Sequence, residues 1–190
     1  GALRQTPAGP FAGELRVSGN GLGGVVNLGA EGRFQEVVFN LRSTGTRFDG
    51  PSRLRIGSAI VDGRAVLYDQ PWIVADAQVQ SARLGPDLYL SGARVKIDYR
   101  DGAGTAQALF EGRSFAPFRL AANSRMQPDL WRVMVDGRVR GIAVKTSSPA
   151  RIVPGDGSYE LLPSQIAVGG GSLRLAGSYG AGLNLQSRLE

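Results

Sequence analysis

The chain of 190 residues contains no cysteine and no histidine. The first absence excludes disulfides and thiolate chemistry. The second removes the commonest general base and the commonest metal ligand, so no Ser-His-Asp system can assemble. Aromatic residues make up only 7%, little for a filled all-β core of this size. Lysine is confined to Lys96 and Lys145, so the net charge of +6 rests on arginine. No apolar run reaches the roughly 18–20 residues that span a bilayer as a helix, and no leader pattern is visible.

What the chain does have is one short phrase repeated. A few residues alternate apolar and polar, a glycine turn follows, and the alternation resumes; Gly stands at 28 and Pro at 10. Arg94-Val95-Lys96-Ile97-Asp98-Tyr99-Arg100 is the clearest copy. A period of two sends alternate side chains to opposite faces, so Val95, Ile97 and Tyr99 share one face and the charged residues the other. The same pattern groups Val37, Phe39 and Leu41, and then Ile73, Ala75, Ala77 and Val79. Turn signals recur at roughly 8–12 residues, the spacing of an all-β protein. Asp62-Gly63 and Asp136-Gly137 read as tight hairpins inside 59–68 and 131–146, Asp101-Gly102 as another turn, and 72–84 as one long strand. Residues 122–130 are the only candidate for a helical turn, and Pro128 keeps it short. Internal similarity is weak: Val61-Asp62-Gly63-Arg64 recurs as Val135-Asp136-Gly137-Arg138, and 13–19 resembles 171–177.

Several motifs fail on context. Gly19-Asn20-Gly21-Leu22-Gly23-Gly24 fits a dinucleotide fingerprint on paper, but the following Val25-Val26-Asn27-Leu28 is strand-like, where the fingerprint needs a helix N-terminus. Asp62, Asp101 and Asp136 each precede glycine, which turn formation explains. No catalytic constellation stands out, so an enzyme is not expected. The arginines are scattered singly along strands, as on a solvated face. Phe39 and Tyr99 fall among Val and Ile rather than on a basic stacking surface, so no nucleic-acid partner is expected. Trp72 and Trp131 read as packing at a seam.

Three segments resemble the TamB branch of the AsmA-like family of Gram-negative envelope proteins. They are 54–68 (LRIGSAIVDGRAVLY), 139–152 with its Gly141-Ile142-Ala143-Val144 strand, and 170–179 (GGSLRLAGSY). The likeness is one of repeat style and covers most of the chain, 1–190, as one continuous portion of a longer protein. It implies an all-β fold, an elongated antiparallel sheet curled into an open, taco-like groove with an apolar concave face. It implies phospholipid acyl chains as partners in the periplasm, an inner-membrane anchor outside this portion, and an outer-membrane barrel partner similar to TamA. No cofactor and no catalytic residue is implied.

The groove lining expected on this reading is Val37, Phe39, Leu41, Leu54, Ile56, Ile73, Val79, Leu88, Leu90, Val95, Ile97, Tyr99, Val133, Val135, Leu173, Leu175, Leu183 and Leu185. An exposed apolar lining of that extent exceeds what a monomer ordinarily tolerates. Acyl chains would remove it from water at roughly 25 cal/mol per Å2. Two other readings share the sequence pattern. One is a scaffold offering sheet edges to unfolded outer-membrane strands by β-augmentation. The other is a closed β-sandwich or solenoid binding module with a conventional core.

Overall fold

A computed structural model describes residues 3–7, 9–49, 53–67, 72–180 and 182–189, with the side chain of Leu183 excluded. Tyr68, which closes the expected 59–68 hairpin, lies outside the described residues. The alternation becomes strand almost throughout, and there is no helix among the described residues. The strands are β1 (Leu3–Gln5), β2 (Phe11–Gly19), β3 (Leu22–Glu31), β4 (Phe34–Phe48), β5 (Leu54–Leu67), β6 (Trp72–Val79), β7 (Ala82–Leu84) and β8 (Leu88–Arg100). They continue as β9 (Ala103–Arg113), β10 (Pro117–Met126), β11 (Trp131–Val139), β12 (Ile142–Thr146), β13 (Ala150–Gly155), β14 (Ser158–Val168), β15 (Gly171–Tyr179) and β16 (Leu183–Leu189).

All sixteen belong to one antiparallel sheet in which chain order is spatial order. β6 and β7 together fill one position between β5 and β8, and β12 and β13 fill one between β11 and β14. The path of fourteen strand positions extends roughly 60 Å at ordinary strand spacing. Its turns fall on two long rims. One rim carries the β2–β3, β4–β5, β7–β8, β9–β10, β11–β12 and β14–β15 connections. Tight turns are made by Asn20-Gly21 (φ 48° and 75°) and Asp101-Gly102 (φ 52° and 81°), the left-handed pair that a two-residue hairpin requires.

Four sequence expectations need correction. Asp62-Gly63 and Asp136-Gly137 do not turn the chain; they lie within β5 and β11. Both glycines are extended and serve close packing instead. A Cβ on Gly63 would collide with the Phe39 ring, and one on Gly137 with the Arg119 carbonyl. The long strand 72–84 is broken at Gln80-Ser81 into β6 and β7. Residues 122–126 are strand, continuous with β10, because each pairs on both sides.

The sheet bends at defined places. In β4 the buried Ser43 donates a hydroxyl hydrogen bond to Thr46 at 2.6 Å, so both face one side although three residues apart. The alternation of faces slips by one residue there, between Ile56 and Ala59 of β5, between Val79 and Ala82, and between Leu90 and Ala93 of β8. Aligned slips make a crease across adjacent strands, since bulges bend and twist the chain locally. A second crease passes through the β12–β13 break and the irregularity between Leu161 and Ser164 of β14. There the buried Thr146 hydroxyl accepts the Val135 N–H at 3.0 Å, and buried Ser164 donates to the Leu162 carbonyl at 2.7 Å. Each interrupted strand follows one carrying Val-Asp-Gly-Arg, so the weak sequence repeat has a counterpart in the fold.

No conventional core forms. The buried hydrophobic residues among those described are Ala59, Ala65, Val66, Ala82 and Met126, and the largest fully buried side chains are Thr46 and Thr146. The accessible surface is 12296 Å2 for 20.0 kDa. A compact monomer of that mass exposes about 8,700 Å2. The sheet is therefore not covered by a second layer.

Candidate lipid-contact face

Residues directly opposite in an antiparallel ladder project to the same side, so the register assigns every paired side chain to a face. Starting from Val95, Ile97 and Tyr99, the partners are Ala77, Ala75 and Ile73 on β6 and Ala108, Ala106 and Gly104 on β9. From β6 the same face passes to Val61, Gly63 and Ala65, then to Leu41, Phe39 and Val37. Toward the other end it reaches Ala122 and Ser124, then Val135 and Val133.

Followed to both ends, the register leaves one face free of charge. Every charged residue within the ladders lies on the opposite, polar face. The seven ion pairs among the described residues belong to that polar face, including Lys96–Asp76 at 3.3 Å and Arg119–Glu111 at 2.9 Å. Glu14 hydrogen-bonds Arg16 and, by that bond and its charge, holds the guanidinium above its ordinary pKa. Such exposed pairs contribute little to stability. The separation of faces carries the weight here.

All the expected lining residues fall on the apolar face by register. Leu54 and Ile56 pair with Leu84 and Ala82, which pair in turn with Leu88 and Leu90. Leu173 pairs with Leu189, Leu175 with Ser187, and Leu185 with Gly177. Leu183 stands opposite Tyr179, and its side chain lies outside the described residues. The face also includes Leu15, Val26, Phe110, Phe118, Leu120 and Ile166, which the same alternation would have singled out. Most of these side chains are half-buried by their neighbours along the sheet. Leu185 (53%) and Leu189 (80%), on the edge strand, are exposed.

The two tryptophans divide between the faces. Trp131 lies on the apolar face, its ring 5.2 Å from that of Tyr159. Trp72 pairs with Val66 on the polar face, with the guanidiniums of Arg64 and Arg100 at 4.5 and 5.0 Å from its ring. The seam expected for Trp72 is thus a cation–π cluster, joined to Glu31 and Glu36 through Arg64. It borders open depressions of 660 and 610 Å3 on the polar face.

Among the described residues no cluster of His, Cys, Asp or Glu is arranged to hold a metal. Among the same residues no helix is long and apolar enough to cross a membrane. The fold defines an all-β protein built as a single antiparallel meander with one uncharged face. No family profile, curated protein or solved structure matches the chain.

Proposed function

We propose that the uncharged face carries phospholipid acyl chains, and that the protein is a segment of a conduit moving lipid across the periplasm. The observation that carries this reading is the register that keeps one face of the sheet free of charge from end to end, left uncovered by any second layer. Acyl chains laid along it would recover the transfer free energy that a protein core ordinarily supplies, roughly 25 cal/mol per Å2. The lining has no fixed charge to arrest a sliding chain, so movement along it is passive partition. The two creases are natural lines for curling the sheet into a groove around the chains. Headgroups would remain in water at the open side. The TamB-like repeat style supports the compartment, the inner-membrane anchor outside this portion and the partner class, including a TamA-like barrel.

Native mass spectrometry of the purified chain tests the reading. Phospholipid adducts should be retained by the wild type and by Arg94→Asp, and lost from Ile97→Asp and Leu175→Asp. A wild-type chain free of lipid after extraction from membranes would contradict it. A second reading, β-augmentation of outer-membrane strands, draws on the open edge at β16, which pairs on one side only. It requires partner strands to protect that edge whether or not lipid is present.

A further inference from the structure

Four of the arginines that look scattered in the sequence are brought together by register at one rim. Arg47 pairs with Arg55, Arg55 with Arg83, Arg83 with Tyr89 and Tyr89 with Arg113. Five adjacent strand positions thus present a row of four guanidiniums and one phenol on the polar face, at neighbour distances of about 5 Å. Like charges directly opposite destabilise a sheet. Elsewhere on this face Arg16, Arg64, Lys96, Arg100, Arg119 and Lys145 have carboxylate partners. The four arginines of the row have none among the described residues, and all are exposed. Others on this face, such as Arg42, Arg94, Arg125, Arg138 and Arg174, likewise lack one, but only in the row do four arginines fall within five adjacent strand positions. Two cavities open along it and share Arg83 and Tyr89. One of 280 Å3 sits where the first crease passes Gly45, Gly57 and Ser81. One of 160 Å3 is bounded by Arg113, Asp87 and Phe115, and Asp87 forms no ion pair with either arginine.

The residues next to the row are apolar and face the other way. Phe48, Leu54, Leu84 and Leu88 form the adjoining rank on the uncharged face, with Phe48 46% and Leu84 44% exposed. Phe115, at the tip of the β9–β10 turn on the same rim, is 99% exposed. An aromatic ring held fully in water beside unpaired cations matches a membrane interface, where rings enter the headgroup layer and arginines meet phosphates. We propose that this rim docks on an anionic phospholipid surface, with the Arg47–Arg55–Arg83–Arg113 row on the phosphates and Phe115 inserted beside it. Nucleic acid fits less well, because Tyr89 is the only aromatic in the row and offers no succession of stacking platforms.

The proposal is independent of acyl-chain carriage by the apolar face, and vesicle binding separates the two. Wild-type chain should co-sediment with phosphatidylcholine vesicles containing a quarter phosphatidylglycerol, and not with phosphatidylcholine alone. Arg55→Gln/Arg83→Gln should weaken binding about tenfold or more and flatten its salt dependence. Arg94→Gln/Arg125→Gln removes equal charge elsewhere on the polar face and should change binding less than twofold. Phe115→Ser should weaken binding without changing the salt slope. Ile97→Asp should bind vesicles normally even if it loses acyl chains. Equal loss in both double variants would overturn the proposal by showing diffuse charge attraction. So would displacement of the vesicles by stoichiometric inorganic pyrophosphate, which indicates a soluble-anion site, or tighter binding of a single-stranded oligonucleotide. Exposed Arg→Gln changes relieve repulsion, and circular dichroism verifies that each variant is folded.

Discussion

Ile97 and Lys96 are neighbours in sequence and stand on opposite faces, and the difference between them is the difference between the protein's two surfaces. Ile97 pairs with Ala75 and Ala106 in an uncharged field, while Lys96 pairs with Asp76 and Gln107. A carboxylate at 97 would keep water on one side, because no second layer closes over it. Ile97→Asp should therefore cost about 1 kcal/mol rather than unfold the chain, and Arg94→Asp should be nearly neutral. Thermal denaturation distinguishes this from a filled core, where the same aspartate would be buried unpaired and abolish folding. Gly63 makes the complementary case. The Phe39 ring lies over it, so Gly63→Val should destabilise by about 1–3 kcal/mol through overpacking. Urea unfolding with no loss of stability would show that the ring moves aside freely.

At the scale of the element, the strands owe their faces to alternation and their bends to hydroxyl groups. Thr146 at the second crease is fully buried, and its hydroxyl accepts the Val135 N–H. Thr146→Val keeps the volume and leaves that donor unpaired, a cost of about 1–3 kcal/mol. The expected signature is a lower urea midpoint at unchanged slope; an unchanged midpoint would mean the crease holds without the hydroxyl. β16 pairs with β15 alone, so its amides should exchange faster than those of β14 and β15. Equal protection would mean that another strand occupies its edge.

The elements also divide what could be read beforehand from what could not. Strand identity and face were legible because charge is kept off one side without exception along the ladders, so a period of two survives in every clear segment. Asp62-Gly63 and Asp136-Gly137 misled because glycine serves two purposes. It permits a left-handed turn at Gly21 and Gly102, and in β5 and β11 it yields space to a neighbouring ring or backbone. Local sequence does not distinguish the two, since the cause lies on the adjacent strand. The arginine row was hidden for the same reason. Positions 47, 55, 83 and 113 have no periodic relation along the chain, and only register aligns them.

The whole molecule is a sheet with nothing laid over it. Low aromatic content, the absence of helix among the described residues and an accessible surface of 12296 Å2 all express that one condition. An uncovered apolar face invites association in water, and acyl chains are the cover proposed here. The chain carries its own reporters for this: of its two tryptophans, Trp131 is on the apolar face and Trp72 on the polar face. The decisive measurement is fluorescence quenching by phosphatidylcholine brominated in its acyl chains, supplied as monomers, in two single-tryptophan variants. With Trp72→Phe, the remaining Trp131 should be quenched as lipid binds. With Trp131→Phe, the remaining Trp72 should stay bright at the same lipid occupancy. Equal quenching of both, or quenching of Trp72 alone, would contradict acyl-chain carriage on the apolar face.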